Sequence, residues 1–571
     1  PNNEPNIVIV GGSDRVFVNG TPIQRGENEQ YMIDYNIGEI LFNTNYPITN
    51  DMRIRVEFQY NDRNYTRFIT YNKGIYKGEN WNIGGFFYSE NDSKNAPVQV
   101  NLSQEQKQIL AAAGNNPALM VASSAFADAF GENKILYRKV TQGTEEVFEY
   151  STNPDDELFN VTFNNIGANK GSYTIDQTLA IGIIFRYVGE NLGDYDPIVQ
   201  LIAPEKLQVA VVKSEFNPSE KTKIAAELAI SNNDLNLFSS IDDNENKGLA
   251  SEVEWQQTLL DKKWKITSKF YHQFIHRNFK TVQRFQSVEF NRDWNINSQV
   301  TGNLQQLQAG LLFKKNDSTF INYEFRNLSL GSDFSGYKHI LQSNLKLKNS
   351  FFYTNNSFLN TDSNTQEFSF LRSKVRIEQS FKKSWLGAFT DIEKNEGIVK
   401  ATQNQLPINH QYQEYEGYFG IGDSTKVYSK IGFNYRTNDS IRNNTFTQIN
   451  NRKTFYAQSR LIQNKRTNLS VFANYRITQN AFASDEKALN SRVSYNQKLF
   501  NNFITLGSLY ETSSGNVARQ DFVYVETEPG QGFYSWIDYN NDGIQQFDEF
   551  EIAQFQDQAN YLRLPLPNLR F

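Results

Sequence analysis

Apolar residues in this chain come mostly one at a time, each followed by a polar one. In VYSKIGFNY the positions Val427, Ser429, Ile431, Phe433 and Tyr435 alternate with Tyr428, Lys430, Gly432 and Asn434. A period of two places one set on each face of an extended strand. LSVFANYRI repeats this, with Leu469, Val471, Ala473, Tyr475 and Ile477 opposing Ser470, Phe472, Asn474 and Arg476. KIAAELAI does so with Ile224, Ala226, Leu228 and Ile230. From about residue 207 onward the chain reads as a series of such segments, roughly sixteen to eighteen of them.

The links between segments are of two kinds. Tight ones include residues 217–221, 260–263, 314–318, 423–426 and 463–468, and longer ones include the acidic 240–248, the stretch 393–412 and the Asn-rich 437–452. Tight and long links largely alternate, which is the asymmetry of an outer-membrane barrel with short periplasmic turns and long external loops. A soluble sandwich array or solenoid explains the period but not that alternation.

Composition agrees. The chain has 571 residues, 14% aromatic, with 44 Phe and 30 Tyr, yet its mean hydropathy is −0.61. Disordered segments lack such aromatic content. No run approaches the roughly 20 apolar residues of a membrane-spanning helix, whereas a barrel strand needs only about 9–11 residues with every second one facing lipid. The absence of cysteine excludes disulfides and thiolate chemistry. Net charge is −6 with both signs interspersed, so no basic stripe marks a nucleic-acid partner. The expected fold class is all-β: a large antiparallel transmembrane β-barrel, or part of one.

Parity of the links assigns sides. Residues 1–62 form a small β-rich module on the external side, 63–91 a first barrel hairpin, and 92–180 an external insertion. Residues 181–515 form the remaining barrel hairpins, and 516–571 an external segment. Within the insertion, LSQEQKQILAAAG (102–114) and PALMVASSAFADAF (117–130) are Ala-rich and predict a short helical hairpin. A complete barrel commonly begins and ends in the periplasm, so external ends suggest a middle portion of a longer barrel.

Two stretches echo each other: FNNIGANKGSY (163–173) and FRYVGENLGDY (185–195), with a looser copy, FVYVETEPGQGFY, at 522–534. Glycine at the matching places supplies positive φ or room for close backbone approach. After the third copy comes DYNNDGIQQFDE (538–549), which has the ligand spacing of a calcium loop: Asp538, Asn540, Asp542, the carbonyl of Ile544, and Glu549, with Gly543 sixth. The competing reading is an Asx-rich turn closed on its own backbone.

Three blocks carry a resemblance: SDRVFVNGTPIQRGENEQYMIDYNIGEILF (13–42), VGENLGDYDPIVQLIAP (188–204) and YSWIDYNNDGIQQFDEFEIAQF (534–555). The chain resembles large outer-membrane β-barrel proteins of the Bacteroidota. The first block is also similar to modules of the barrel translocon of the type 9 secretion system. The resemblance implies location and architecture and brings no activity with it.

Other chemistry is sparse. His272 and His276 lie in WKITSKFYHQFIHR, a strand by its period, where about 13 Å separates them; neither they nor His339 and His410 predict a metal centre. The acidic residues Asp155, Asp156, Glu157, Asp242, Asp243 and Glu245 read as solvated loops. No nucleophile elbow, phosphate loop or dinucleotide fingerprint occurs in a suitable context, so an enzyme is not expected. Trp81, Trp255, Trp264, Trp294 and Trp385 fall near strand ends, where aromatic girdles sit; a Trp or Tyr platform for sugars is the alternative.

The expected function is a non-enzymatic pore, transport or envelope-assembly barrel. Lys223, Glu227, Lys430, Asn434 and Arg476 would line its lumen or meet a plug. Its expected surroundings are outer-membrane lipid, lipopolysaccharide and protein partners in an envelope complex, with Ca2+ as a cofactor of the 538–549 loop. The rivals are a TonB-dependent receptor-type transporter and a secreted β-rich adhesin or glycan-binding protein.

Overall fold

The structure is a computed structural model. It describes residues 9–565 except 28, 36–37, 44–45, 49–51, 61–64, 98–101, 132–133, 144, 180–181, 297–299, 424, 501–502, 514–521, 527–533, 538, 540–548, 554–557 and 559.

Eighteen strands form one large antiparallel sheet. Tyr65–Lys77 pairs with Trp81–Pro97, which pairs with Lys206–Ser219. From there the hairpins follow in sequence to Ile504–Ser513. In sheet order Ile504–Ser513 adjoins Tyr65–Lys77, so the order runs round to its start. Across that junction no paired register stands among the described residues, and both strands stay exposed along nearly their whole length.

The alternation seen in sequence has a clear outcome: the apolar face is the exposed one. Along Lys247–Asp261, Leu249, Val253 and Trp255 are 41%, 39% and 42% exposed, whereas Thr258 on the opposite face is 6% exposed. Outward rows continue from strand to strand, as in Phe433↔Phe455↔Tyr475↔Leu489. The covered face holds polar groups such as Gln273, Gln306, Asp391, Glu393, Asn395, Arg436 and Arg492. It is tightened where aromatic rings lie across opposed glycines: Tyr418 covers Gly387 and Tyr456 covers Gly432, so a Cβ at either glycine would collide with a ring.

Links at one edge of the sheet are all short, from Ser219–Thr222 to Gly422–Tyr428. The other edge carries the long segments 98–205, 235–246, 276–303 and 400–409. Two expected loops are corrected here. Most of 437–452 is strand, because Asn443 and Asn444 take positive φ (49° and 61°) and close a tight hairpin between Arg442 and Thr445; Asn-Asn suits the twist of a two-residue turn. Most of 393–412 is also strand, with only 400–409 linking Ser384–Val399 to His410–Gly422.

The insertion runs further than expected, because the large sheet resumes only at Lys206. The assumed boundary at 181 falls inside a small sheet in which Tyr173–Leu179 pairs with Gly182–Tyr187. Only the first half of the expected helical hairpin is helical. Gln104–Ala113 begins at a Ser103–Gln106 capping box. After the short turn Pro117–Leu119, Val121–Ser123 instead pairs with Ile198–Gln200, a long-range pairing that overrides alanine's helical preference. The helix is fixed to the sheet through the acidic loop: Asn236 Nδ2 donates to the carbonyls of Leu110 (2.7 Å) and Gly114 (2.6 Å), and Asp242 accepts from the Asn115 amide at 2.7 Å.

The echoed stretches fold onto one another. Gly171 and Gly193 exchange backbone hydrogen bonds of 2.8 Å, and Phe163 stacks on Phe185 with ring centres 4.7 Å apart. Each glycine faces the backbone of the other copy's tyrosine, Tyr195 or Tyr173. The four-stranded sheet containing Tyr534–Trp536 has the same order as this one, first strand, fourth, second, third. It pairs Tyr534 with Tyr561 as the insertion pairs Tyr173 with Tyr195. Gly171→Ala and Gly193→Ala should each destabilise the insertion by about 1–3 kcal/mol. Limited proteolysis should then cut within 163–196 while the large sheet stays intact.

Candidate functional site

The covered face of the large sheet is occupied. The loop 276–303, between Lys265–Ile275 and Leu304–Asn316, turns onto it and carries the short helix Phe290–Asp293. Trp294, expected in an outward girdle, is 3% exposed and packs among Leu304, Leu328, Phe334, Leu359 and Phe370. This correction has a physical reason: those residues form an apolar seat on a mainly polar face, and the indole fills it. Trp385 also faces inward at 7% exposure, whereas Trp81 and Trp255 do point outward.

Beside the tryptophan an ion-pair network joins loop to wall. Arg292 bridges Glu289 (3.0 Å) and Glu393 (2.9 Å). Glu393 is fully buried and also meets Arg372 at 2.7 Å, His410 Nε2 at 2.9 Å and the Tyr412 hydroxyl at 3.3 Å. A buried carboxylate is tolerable only with such compensation. Next to it Asp391 pairs with Lys374 at 2.8 Å. Asn295 donates to Asn395 at 3.1 Å, and Lys338 donates to the Asp293 carbonyl at 3.3 Å beneath the Trp294 ring.

A second layer sits on this loop. The strands Arg15–Val18, Thr21–Ile23 and Ile54–Glu57 form a three-stranded sheet near the N-terminus. From it, Glu57 receives two bonds from Arg284 (2.9 and 2.8 Å), Arg53 bonds Glu289 at 3.0 Å, and Arg55 donates to the Val288 carbonyl at 3.2 Å. The module also reaches the wall directly, where Arg492 donates to the Glu27 carbonyl at 2.9 Å. A continuous chain of charges thus runs Arg53–Glu289–Arg292–Glu393–Arg372. Hydrogen bonding from Arg284, with help from the Arg284 and Arg55 charges, lowers Glu57 below the usual carboxylate range despite some burial. Burial pushes Glu289 upward, but the Arg53 bond and the charges of Arg292 and Arg53 outweigh it and leave that carboxyl lowered as well.

The polar residues expected on the inner face lie opposite the exposed apolar ones. Lys430 meets Glu416 at 3.4 Å and covers the Tyr418 ring, and Asn434 donates to Glu414 at 2.6 Å. Lys223 and Glu227 form longer pairs with Glu215 (4.0 Å) and Lys213 (3.7 Å). Arg476 lines a recess with Arg436, Arg452 and Arg53. The network around Glu393 was hidden in sequence, because reading 393–412 as a loop removed Glu393, Asn395 and His410 from the wall.

Of the calcium-type ligands, Asp538, Asn540, Asp542 and Ile544 lie outside the described residues. Glu549 is described: it is nearly buried, its carboxylate accepts the Trp536 indole N–H at 2.9 Å, and its carbonyl accepts the Ile537 amide at 2.9 Å. Among the described residues no three His, Cys, Asp or Glu side chains converge as a metal site would need. His272 is opposed to Val253 and Leu307 on the outward face. His339 lies there too, with its Nδ1 2.9 Å from the Tyr323 hydroxyl and its ring beside Phe325 and Tyr337.

Residues 1–62 match the family described as Domain of unknown function (DUF8818), the span expected to be a separate module. No curated protein matches the chain.

Two outcomes test the docking. Arg284→Glu should free the N-terminal module to proteolysis, and the swap with Glu57→Arg should restore protection. Because Glu57 and Glu289 titrate lower when docked, their contribution is complete above the ordinary carboxylate range and fades as pH falls through the lowered values. Amide protection factors across residues 15–57, taken relative to the intrinsic exchange rate at each pH, should therefore fall at acidic pH.

Proposed function

We propose that the chain is an outer-membrane β-barrel whose lumen is closed at its long-loop rim by the loop 276–303 and the N-terminal module, acting as a non-enzymatic transport or envelope-assembly component. The observation that carries this reading is the inverted exposure of the eighteen-stranded sheet. In water, each large side chain such as Phe433, Phe455 or Leu386 would forgo about 1.5–3 kcal/mol of burial. In a bilayer the same rows are solvated by acyl chains, and the backbone groups between them are already paired. The chain contains no helix long and apolar enough to cross a membrane among the described residues, and that has no bearing on crossing by strands.

The occupied inner face supports a gated conduit over an open pore. Arg292 and Trp294 hold the loop to the wall through a salt bridge and an apolar seat, and the module stands over both. The DUF8818 match supports treating that module as a unit of its own. The 538–549 loop is proposed as a weak Ca2+ site on the long-loop side, with Glu549 as its closing ligand.

Membrane residence is tested by extraction: the protein should stay in the membrane fraction until detergent is added, and release by salt or alkali would overturn the reading. Phe433→Arg should reduce stability in bilayers by about 2–4 kcal/mol, while Lys223→Ala on the inner face costs far less; unfolding titrations in vesicles measure both. In planar bilayers the double variant R292A/W294A should conduct more than the parent. Calorimetry should show Ca2+ uptake that Glu549→Gln abolishes.

A further inference from the structure

A hollow of about 520 Å3 opens on the outward face near the long-loop rim, floored by Ala210 and flanked by Phe87, Ile230 and Leu249. Register makes its construction plain. One outward row runs Phe87↔Ala210↔Ile230↔Leu249, and the next row toward the rim runs Ser89↔Gln208↔Asn232↔Lys247. Ala210 is the small residue between two large neighbours, so the apolar row has a gap there. Chemistry changes within a single row, from hydrocarbon to amides and an ammonium group. His276, whose amide bonds the Leu249 carbonyl, ends the apolar row. Its Nδ1 accepts the Asn278 amide at 3.3 Å, which leaves Nε2–H as the donor. Lys247 is exposed and makes no ion pair among the described residues. Asp234, two residues beyond Asn232 on the neighbouring strand, accepts the Asn236 amide at 3.1 Å.

We propose that this hollow binds a phosphorylated glycolipid of the outer leaflet. An acyl chain lies over Ala210 between Phe87 and Leu249, and a phosphate is held by Lys247 Nζ and His276 Nε2, with Gln208 and Asn232 facing the sugar hydroxyls. The proposal rests on the membrane reading above. What selects this occupant is the pairing of an apolar trough with an uncompensated ammonium group one row higher. That order matches a lipid molecule from tail to head, and the leaflet is the one that meets the long-loop rim.

The test uses the full chain purified in mild detergent, incubated with phosphorylated lipid A, its dephosphorylated form or phosphatidylglycerol, and examined by native mass spectrometry. The parent should retain phosphorylated lipid A in preference to both others. K247Q/H276N should weaken retention about fivefold or more, since one interfacial cation contributes on the order of 1 kcal/mol. A210F should weaken it by filling the trough. K487Q, removing an exposed lysine on a distant strand, should leave retention unchanged. Equal retention by all variants, or equal retention of the dephosphorylated form, overturns the site. Preference for phosphatidylglycerol assigns it to an ordinary phospholipid and overturns the glycolipid. A detergent-stable dimer dissolved by A210F, with lipid retention unchanged, assigns the hollow to a second copy. Release of the parent without detergent is a different result: it defeats the membrane reading itself. Unchanged heat-dependent mobility of A210F on gels shows that its sheet is intact.

Discussion

A sheet can satisfy its backbone in only one way, through ladders to its neighbours, and in this protein that demand fixes nearly everything else. Once the strands from Lys206–Ser219 to Ile504–Ser513 are paired in series, each side chain has only two directions available. Most charged and amide groups fall on the covered face, and most aromatic and aliphatic groups on the exposed one. Ion pairs such as Lys374–Asp391 and Arg436–Glu414 (3.0 Å) then hold the polar side together across neighbouring strands. Rings of Tyr418 and Tyr456 fill the space that a side chain at the opposed glycine would take.

How much of this could be read in advance follows from which interactions are local. The period of two in KIAAELAI and VYSKIGFNY is a property of the chain itself, and it assigned Lys223, Glu227, Lys430 and Asn434 to the face they occupy. Gly171 and Gly193 were legible for the same reason, since a repeated glycine marks a repeated steric need. Two of the misreadings involve a partner distant in sequence. Val121–Ser123 is extended because Ile198–Gln200 lies beside it. Trp294 is buried because five inward apolar residues, spread over 304–370, form a seat for it. The stretch 437–452 is rich in asparagine, and composition alone suggested a loop. Its two-residue turn uses asparagine for its tolerance of positive φ.

The candidate site shows the same division more sharply. No local pattern distinguishes Glu393 from the other carboxylates of the chain. Its significance arises only when Arg292, Arg372 and His410 arrive from three separate segments. Single-sequence reading has no access to that convergence. The DUF8818 match covers residues 1–62, the span read in sequence as a small module.

The route by which the N-terminal module is attached has a mechanical consequence. Its ion pairs go chiefly to the mid-part of loop 276–303, and that loop is in turn clasped by Glu393 on the strand Ser384–Val399. Tension applied to the module would therefore not spread evenly over the rim. It would reach the sheet at the Trp294 seat spread over 304–370, at Glu393 on Ser384–Val399, and at Arg492, which bonds the Glu27 carbonyl. Such a linkage shares a pull between the loop and a direct bond to the sheet, as a latch with two catches does.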